Sequence, residues 1–157
     1  MKLTLLAAVA ALAALPAFAH DGVHIIDPYA RVIGPSGAVY FRIGSHEDAD
    51  DTLISASSPD AGMVMLMNSK ADANGVMQME TVTEGFTVAA GGERIIATDG
   101  DHVMLMDLTH PIKDGDTVTL VLTFKAAGEV TVKVPVDNKR KEEPGTGPTK
   151  FDAKSGD

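Results

Sequence analysis

The chain has 157 residues, no cysteine or tryptophan, and 22 acidic against 13 basic side chains, for a formal charge of −9. That balance argues against nucleic acid and anionic membrane as partners. The missing cysteine excludes disulfides, iron–sulfur clusters, Cys-ligated zinc and thiolate copper centres.

Lys2 opens the chain, Leu3 to Leu15 are apolar apart from Thr4, and Ala17-Phe18-Ala19 forms an A-x-A cleavage signature. This pattern predicts a signal peptide over residues 1–19, export, and a mature chain that begins at His20. The apolar run is too short and too rich in small residues to favour a transmembrane anchor, and no later segment is suited to span a bilayer. Removing the first 19 residues leaves 138, enough for one domain with a sizeable core.

From there the pattern is β. Val39, Phe41 and Ile43 alternate with Ala38, Tyr40 and Arg42. A polar stretch, Ser45 to Asp51, follows and reads as a solvated loop, since it lacks the alternating Asp ligands and glycine of a calcium loop. Later runs at 93–98, 117–124 and 129–136 are rich in β-branched residues and step by two. Turn signals separate them at Gly34-Pro35-Ser36-Gly37, Gly91-Gly92, Asp99-Gly100-Asp101, Asp114-Gly115-Asp116 and Ala127-Gly128. The two Asp-Gly-Asp units read most simply as hairpin turns. Only the stretch near Ala71 leaves room for a turn or two of helix. Short strands at this spacing predict an all-β sandwich or barrel over residues 20–136. Residues 137–157 are charged, carry Pro144-Gly145-Thr146-Gly147-Pro148, and predict a disordered tail.

Every methionine after Met1 falls in three clusters: Met63, Met65 and Met67; Met77 and Met79; Met104 and Met106. A strand turns alternate side chains to one face, so a step of two gathers thioethers together. Thioether sulfur is a soft, uncharged donor that favours Cu(I) over hard ions. His102-Val103-Met104 would place an imidazole and a thioether on one face. An isolated H-x-M is more often part of a core strand with methionine as filler, but two further Met-x-Met pairs shift the balance toward a metal site. His20, as a mature N-terminus with His24 four residues on, offers a second candidate that would take Cu(II); a frayed terminus is the simpler reading. His110 is assigned no role. No G-x-S-x-G, H-E-x-x-H or phosphate-binding loop is present, so a non-enzyme is expected.

These residues resemble the periplasmic copper chaperone family PCu(A)C. Ser55-Ala-Ser-Ser-Pro59 is similar to the segment leading into that family's first ligand strand, and Gly75-Val-Met-Gln-Met79 to its GVMxM. Ala90-Gly91-Gly92 resembles its A-G-G turn, and His102-Val-Met-Leu-Met-Asp-Leu108 its H-x-M-L-M-x-L. Pro111 to Val118 and Gly128 to Val132 resemble its closing strands, so the likeness spans about residues 25–136. It implies a single Greek-key β-sandwich of cupredoxin-like topology, located in the periplasm, with Met79, His102 and Met104 as copper ligands. Where the family has its first ligand histidine, this chain has Met67. Met67 to Met79 is twelve residues and Met79 to His102 twenty-three, which fits the family spacing. The implied site is therefore Met67, Met79, His102 and Met104, biased further toward Cu(I) by the lost nitrogen. Met63, Met65, Met77 and Met106 are expected to pack, with Met65 and Met77 as a possible soft rim. The implied partner is a copper acceptor, either an oxidase subunit or a thiol-bearing assembly factor, served by a monomer without a membrane span. The competing readings are a relative with altered copper binding, a non-metal docking domain with an adaptable methionine surface, and a sacrificial oxidation buffer.

Overall fold

The computed structural model describes residues 22–141, and none of these is helical. Residues 1–21, with the expected signal peptide and His20, and residues 142–157 of the expected tail lie outside that range. The strands are β1 (Val23–Ile33), β2 (Ser36–Ser45), β3 (Asp51–Ser57), β4 (Ala61–Ala71) and β5 (Met77–Thr81), then β6 (Phe86–Val88), β7 (Glu93–Ile96), β8 (Asp101–Leu108), β9 (Thr117–Phe124) and β10 (Gly128–Pro135). They form two antiparallel sheets. One runs β1-β2-β8-β4-β5, with β7 also paired to β2, and the other runs β10-β9-β3-β6. Neighbours distant in sequence, such as β2 with β8 and β3 with β9, come from the crossings of a Greek-key sandwich.

The core follows the period-two pattern. Val39, Phe41 and Ile43 of β2 are fully buried, and so are Val118, Leu120 and Leu122 of β9. Phe86, Leu53, Val103 and Leu105 join them in one apolar cluster between the sheets. At the head of β3, Asp51 is a buried exception in a stretch read as solvated. Its Oδ1 accepts from the amides of Thr52 (2.7 Å) and Ala126 (2.8 Å), and its Oδ2 from Ala127 (2.9 Å). It ties β3 to the β9–β10 turn.

Four expectations change. Ala71 ends β4 in extended conformation, so no helical turn forms there. Asp99-Gly100-Asp101 is not a hairpin turn. Strands β7 and β8 pair with successive stretches of the same edge of β2, at Phe41 to Gly44 and Gly37 to Val39, so residues 97–100 form an excursion between two nearly collinear strands. Asp114-Gly115-Asp116 likewise joins strands of different sheets. Finally, residues 137–140 stay docked beyond the last strand. Asp137 donates its amide to the Ala30 carbonyl (2.9 Å), Val32 donates its amide to Asn138 Oδ1 (2.8 Å), and the Arg140 guanidinium grips the Asp27 carboxylate with both arms. The contacts are polar, which is why an apolar pattern did not announce them.

Strand β1 carries a bulge. Ile26 pairs with Arg42 and Tyr29 with Tyr40, so Asp27 and Pro28 stand opposite Phe41 alone. Asp27 adopts φ 52°, and Pro28 has no amide to offer a ladder. One extra residue reverses the phase of the strand. Ile25 therefore faces inward before the bulge, whereas Ala30 and Val32 face inward after it, leaving Tyr29 and Arg31 on the outer face. Arg140 stacks over Tyr29 at 4.3 Å from the ring centroid.

Candidate metal centre

The methionines lie on the outer face of the larger sheet. On β4, Leu66 points into the core opposite Val103, so Met63, Met65 and Met67 point the other way. The register between β4 and β8 pairs Met67 with His102, Met65 with Met104 and Met63 with Met106. Directly opposed side chains sit about 4.5–5.5 Å apart at Cβ, so each pair is a rung on which two donors can meet. Across β4 and β5, Ser69 pairs with Met79 and Met67 with Thr81. Met79 is thus diagonal to Met67, about 7–8 Å away by strand geometry. Only Met67 and His102 are directly opposed; Met104, two residues along β8 from His102, and Met79 on β5 are each diagonal to Met67, on opposite sides of β4.

His102 is the centre of this arrangement. It is only 4 % exposed, and its ring lies 6.4 Å from that of Tyr40, centroid to centroid. Its Nδ1 is 3.1 Å from the Gly100 carbonyl. A carbonyl can only accept, so the neutral ring keeps its hydrogen on Nδ1 and leaves the Nε2 lone pair for a ligand. The excursion at 97–100 supplies that carbonyl, and the same oxygen also accepts the Ser69 amide at 2.9 Å. On the opposite face, Asp101 pins the excursion to the scaffold. Its Oδ2 accepts from Arg94 Nε at 2.8 Å, its Oδ1 from Asn68 Nδ2 at 2.7 Å, and the Arg94 guanidinium lies 5.2 Å from the centroid of Phe86. These supports were not foreseen, because each depends on which strands become neighbours.

The donor set is soft. Among the described residues, no three His, Cys, Asp or Glu side chains gather closely enough to hold a metal ion. Thr81 Oγ1 lies 3.5 Å from Met67 Sδ, within reach of a weak hydrogen bond that orients the thioether. Met79 belongs to an edge strand with every residue exposed, and is itself 51 % exposed. Met65, expected to pack or to form a rim, stands directly opposite Met104. Its step of two from Met67 showed the shared face, but only the register gives it that partner.

The other candidates separate from this cluster. His20 lies outside the described residues. His24 pairs with Gly44, four residues along β2 from Tyr40, so it is about 13 Å along the strand from the His102 level. Its ring makes an edge contact with His46 instead, 5.1 Å between centroids. His110 sits in a loop beside Thr109, with its Nδ1 3.1 Å from Oγ1.

The position of Met79 depends on the β4–β5 turn. Asp72 Oδ1 accepts from the amides of Asn74 (2.8 Å) and Val76 (3.0 Å), and Gly75 completes the turn at φ 80°. The Val76 and Asn74 amides, with a smaller contribution from Gln78, hold the Asp72 carboxyl below its ordinary value of 3.8. A carboxylate with a depressed folded-state value stabilises the turn above its unfolded value and loses that effect as pH falls through the folded one. Asp72→Ala is therefore expected to speed amide exchange at Asn74 and Val76 while leaving global stability unchanged. In the unmodified chain, the same two amide resonances should move on acidification below 3.8. Unchanged exchange in the variant would show that the turn holds without this cap.

Comparison with known proteins bears on the fold and the family. A curated relative, "Putative lipoprotein Lxx21020" of Leifsonia xyli subsp. xyli, is 25% identical over 116 residues, covering 74% of this chain and 70% of the relative. The solution structure of CuI-DR1885 from Deinococcus radiodurans is 28% identical with a TM-score of 0.56, covering 78% of this chain and 84% of that one. The copper-bound PCuAC domain from PmoF2 shares the fold, with a TM-score of 0.61 at 23% identity over 74% of this chain and 92% of that domain. The resemblance to PCuAC domains read from the motifs thus holds. The family model described as "Putative lipoprotein LpqE-like" matches residues 23–136, and the chain belongs to this PCuAC-related LpqE-like family.

Proposed function

We propose that this protein is a Cu(I)-binding metallochaperone. It works outside the cytoplasm, in the periplasm, and holds the ion through Met67, Met79, His102 and Met104. The observation that carries the reading is the pair of adjacent rungs, Met67 with His102 and Met65 with Met104, together with the Gly100 carbonyl that leaves His102 Nε2 unblocked. Support comes from the copper-bound names of the similar structures and from an export-type leader followed by a fold shared with them. The lipoprotein name of the family and of its relative also suits an exported chain, although none of these 157 residues is a cysteine able to carry a thioether-linked lipid.

Three neutral thioethers and one imidazole bind a soft monovalent ion without strong charge attraction, so each ligand is replaceable in turn. Met79, on the exposed edge strand, is the first to leave. An incoming thiolate or imidazole takes its place, and Met67, Met104 and His102 follow, so the ion is never free. The acceptor is a respiratory oxidase copper centre or a thiol-bearing assembly partner, and no catalytic step is assigned to this chain.

The test is anaerobic Cu(I) titration against a chromogenic chelator, followed by transfer to a dithiol acceptor fragment. Retention against the chelator with rapid loss to the dithiol is expected. Failure to take up Cu(I) refutes the reading. Met67→His should restore a nitrogen donor and raise retention of Cu(II) and Zn(II) at least severalfold, as competition with each ion would measure. If selectivity stays unchanged, Met67 is not a ligand.

A further inference from the structure

We propose that the chain holds a second soft-metal subsite, formed by the thioethers of Met63, Met65 and Met106, beside the first on the same sheet face. The proposal rests on the copper reading above and adds to it a second place for the ion.

The β4–β8 register makes a ladder of three consecutive rungs, Met63–Met106, Met65–Met104 and Met67–His102. The site already described draws on the last rung, on Met104 and on Met79. It leaves three thioethers of the ladder over. Met63 and Met106 face each other directly, and Met65 lies two residues from Met63 on the same face, about 6.6–6.8 Å along the strand. Each methionine has an unbranched, freely turning side chain, so three sulfurs at such corners can converge on one ion.

These residues take no part in the core between the sheets. The core side of the same two strands is filled by Leu66, Val103 and Leu105, which are buried. Met63 is 49 % exposed, and Met65 and Met106 are half-buried, so part of each side chain is open to solvent. Three neutral sulfurs with no imidazole or carboxylate on their rungs select Cu(I) or Ag(I) and offer little to Zn(II) or Cu(II). Without a nitrogen donor this subsite is the weaker of the two. Its outer rung, Met63–Met106, lies about 13 Å from the His102 rung, and Met65 reaches halfway back toward it. An ion caught at the exposed Met63 end therefore has thioether donors at every step toward His102.

The experiment counts ions. The full chain is loaded anaerobically with Cu(I), and in parallel with Ag(I), and bound equivalents are read by native mass spectrometry and chelator competition. Two equivalents of unequal strength are expected in the unmodified chain. Met63→Leu/Met65→Leu/Met106→Leu preserves volume and fold and should keep only the stronger equivalent, whereas His102→Ala should keep only the weaker. A single equivalent that disappears with His102→Ala overturns the second subsite and leaves the proposed function standing. Two equivalents in the triple leucine variant overturn it as well. No uptake by the unmodified chain overturns both readings.

Discussion

Replacing His102 by alanine should lower Cu(I) retention by more than about a hundredfold, because losing even an outer-shell partner of a metal ligand costs about 10–100-fold. His102 is the only nitrogen donor on the methionine ladder, and its ring is already oriented. The Gly100 carbonyl holds Nδ1, and the excursion carrying that carbonyl is tied down through Asp101 to Arg94 and Asn68. The imidazole thus meets the ion without reorganising. Met104→Ala should cost less, about tenfold, because Met65 stands directly opposite and offers a replacement sulfur of the same softness. Chelator competition at one fixed pH compares the three chains. Equal retention by all of them would remove the site. An inverted order, with Met104 the more damaging loss, would move the centre of binding away from the imidazole.

Asp51→Ala has the larger expected effect on stability. The carboxylate is buried and accepts three backbone amides, from Thr52, Ala126 and Ala127. Alanine removes every acceptor at once. The Ala126 and Ala127 amides lie near the surface and can turn partly to water, so the cost is set at about 2–4 kcal/mol rather than the sum of three full penalties. Thermal unfolding should then come roughly 6–15 °C earlier in a domain of this size. Asp51→Asn keeps one acceptor oxygen and should lie between. Asp51 heads β3 in the sheet opposite the methionines, so below the melting point Cu(I) retention should be unaltered. An unchanged melting temperature would mean that the turn finds other partners. Together the two substitutions separate binding from scaffold, since each should spare what the other destroys.

Much of this was legible along the chain. The alternation of Val39, Phe41 and Ile43 identified an inward face, and Thr117–Phe124 was found to the residue. The steps of two among the methionines put all the thioethers of each strand on one side. Periodicity, however, reports which residues of one strand share a face, and says nothing about which strands lie side by side. That is why the partner of Met65 was not legible, and why Asp99-Gly100-Asp101 was taken for a hairpin turn rather than part of an excursion along β2. Asp51 was missed for a related reason. An aspartate at the end of an acidic run looks solvated until the β9–β10 turn, 75 positions later, brings amides to it. The docking of residues 137–140 was invisible to any apolar pattern because charged and amide groups carry it.

The bulge at Asp27 has a consequence for the order in which the molecule is completed. By turning Tyr29 and Arg31 outward, it prepares a landing for Arg140, a partner 113 positions away. Contacts of such long sequence separation form late, since most of the chain must first be in place. A chain made from its N-terminus presents Asp27 at the beginning and Arg140 near the end, with the three methionine-bearing strands in between. The methionine ladder of β4 and β8 can therefore assemble before the two chain ends meet. The contact that joins the two chain ends across β1 thus lies on the same sheet face that carries the ladder.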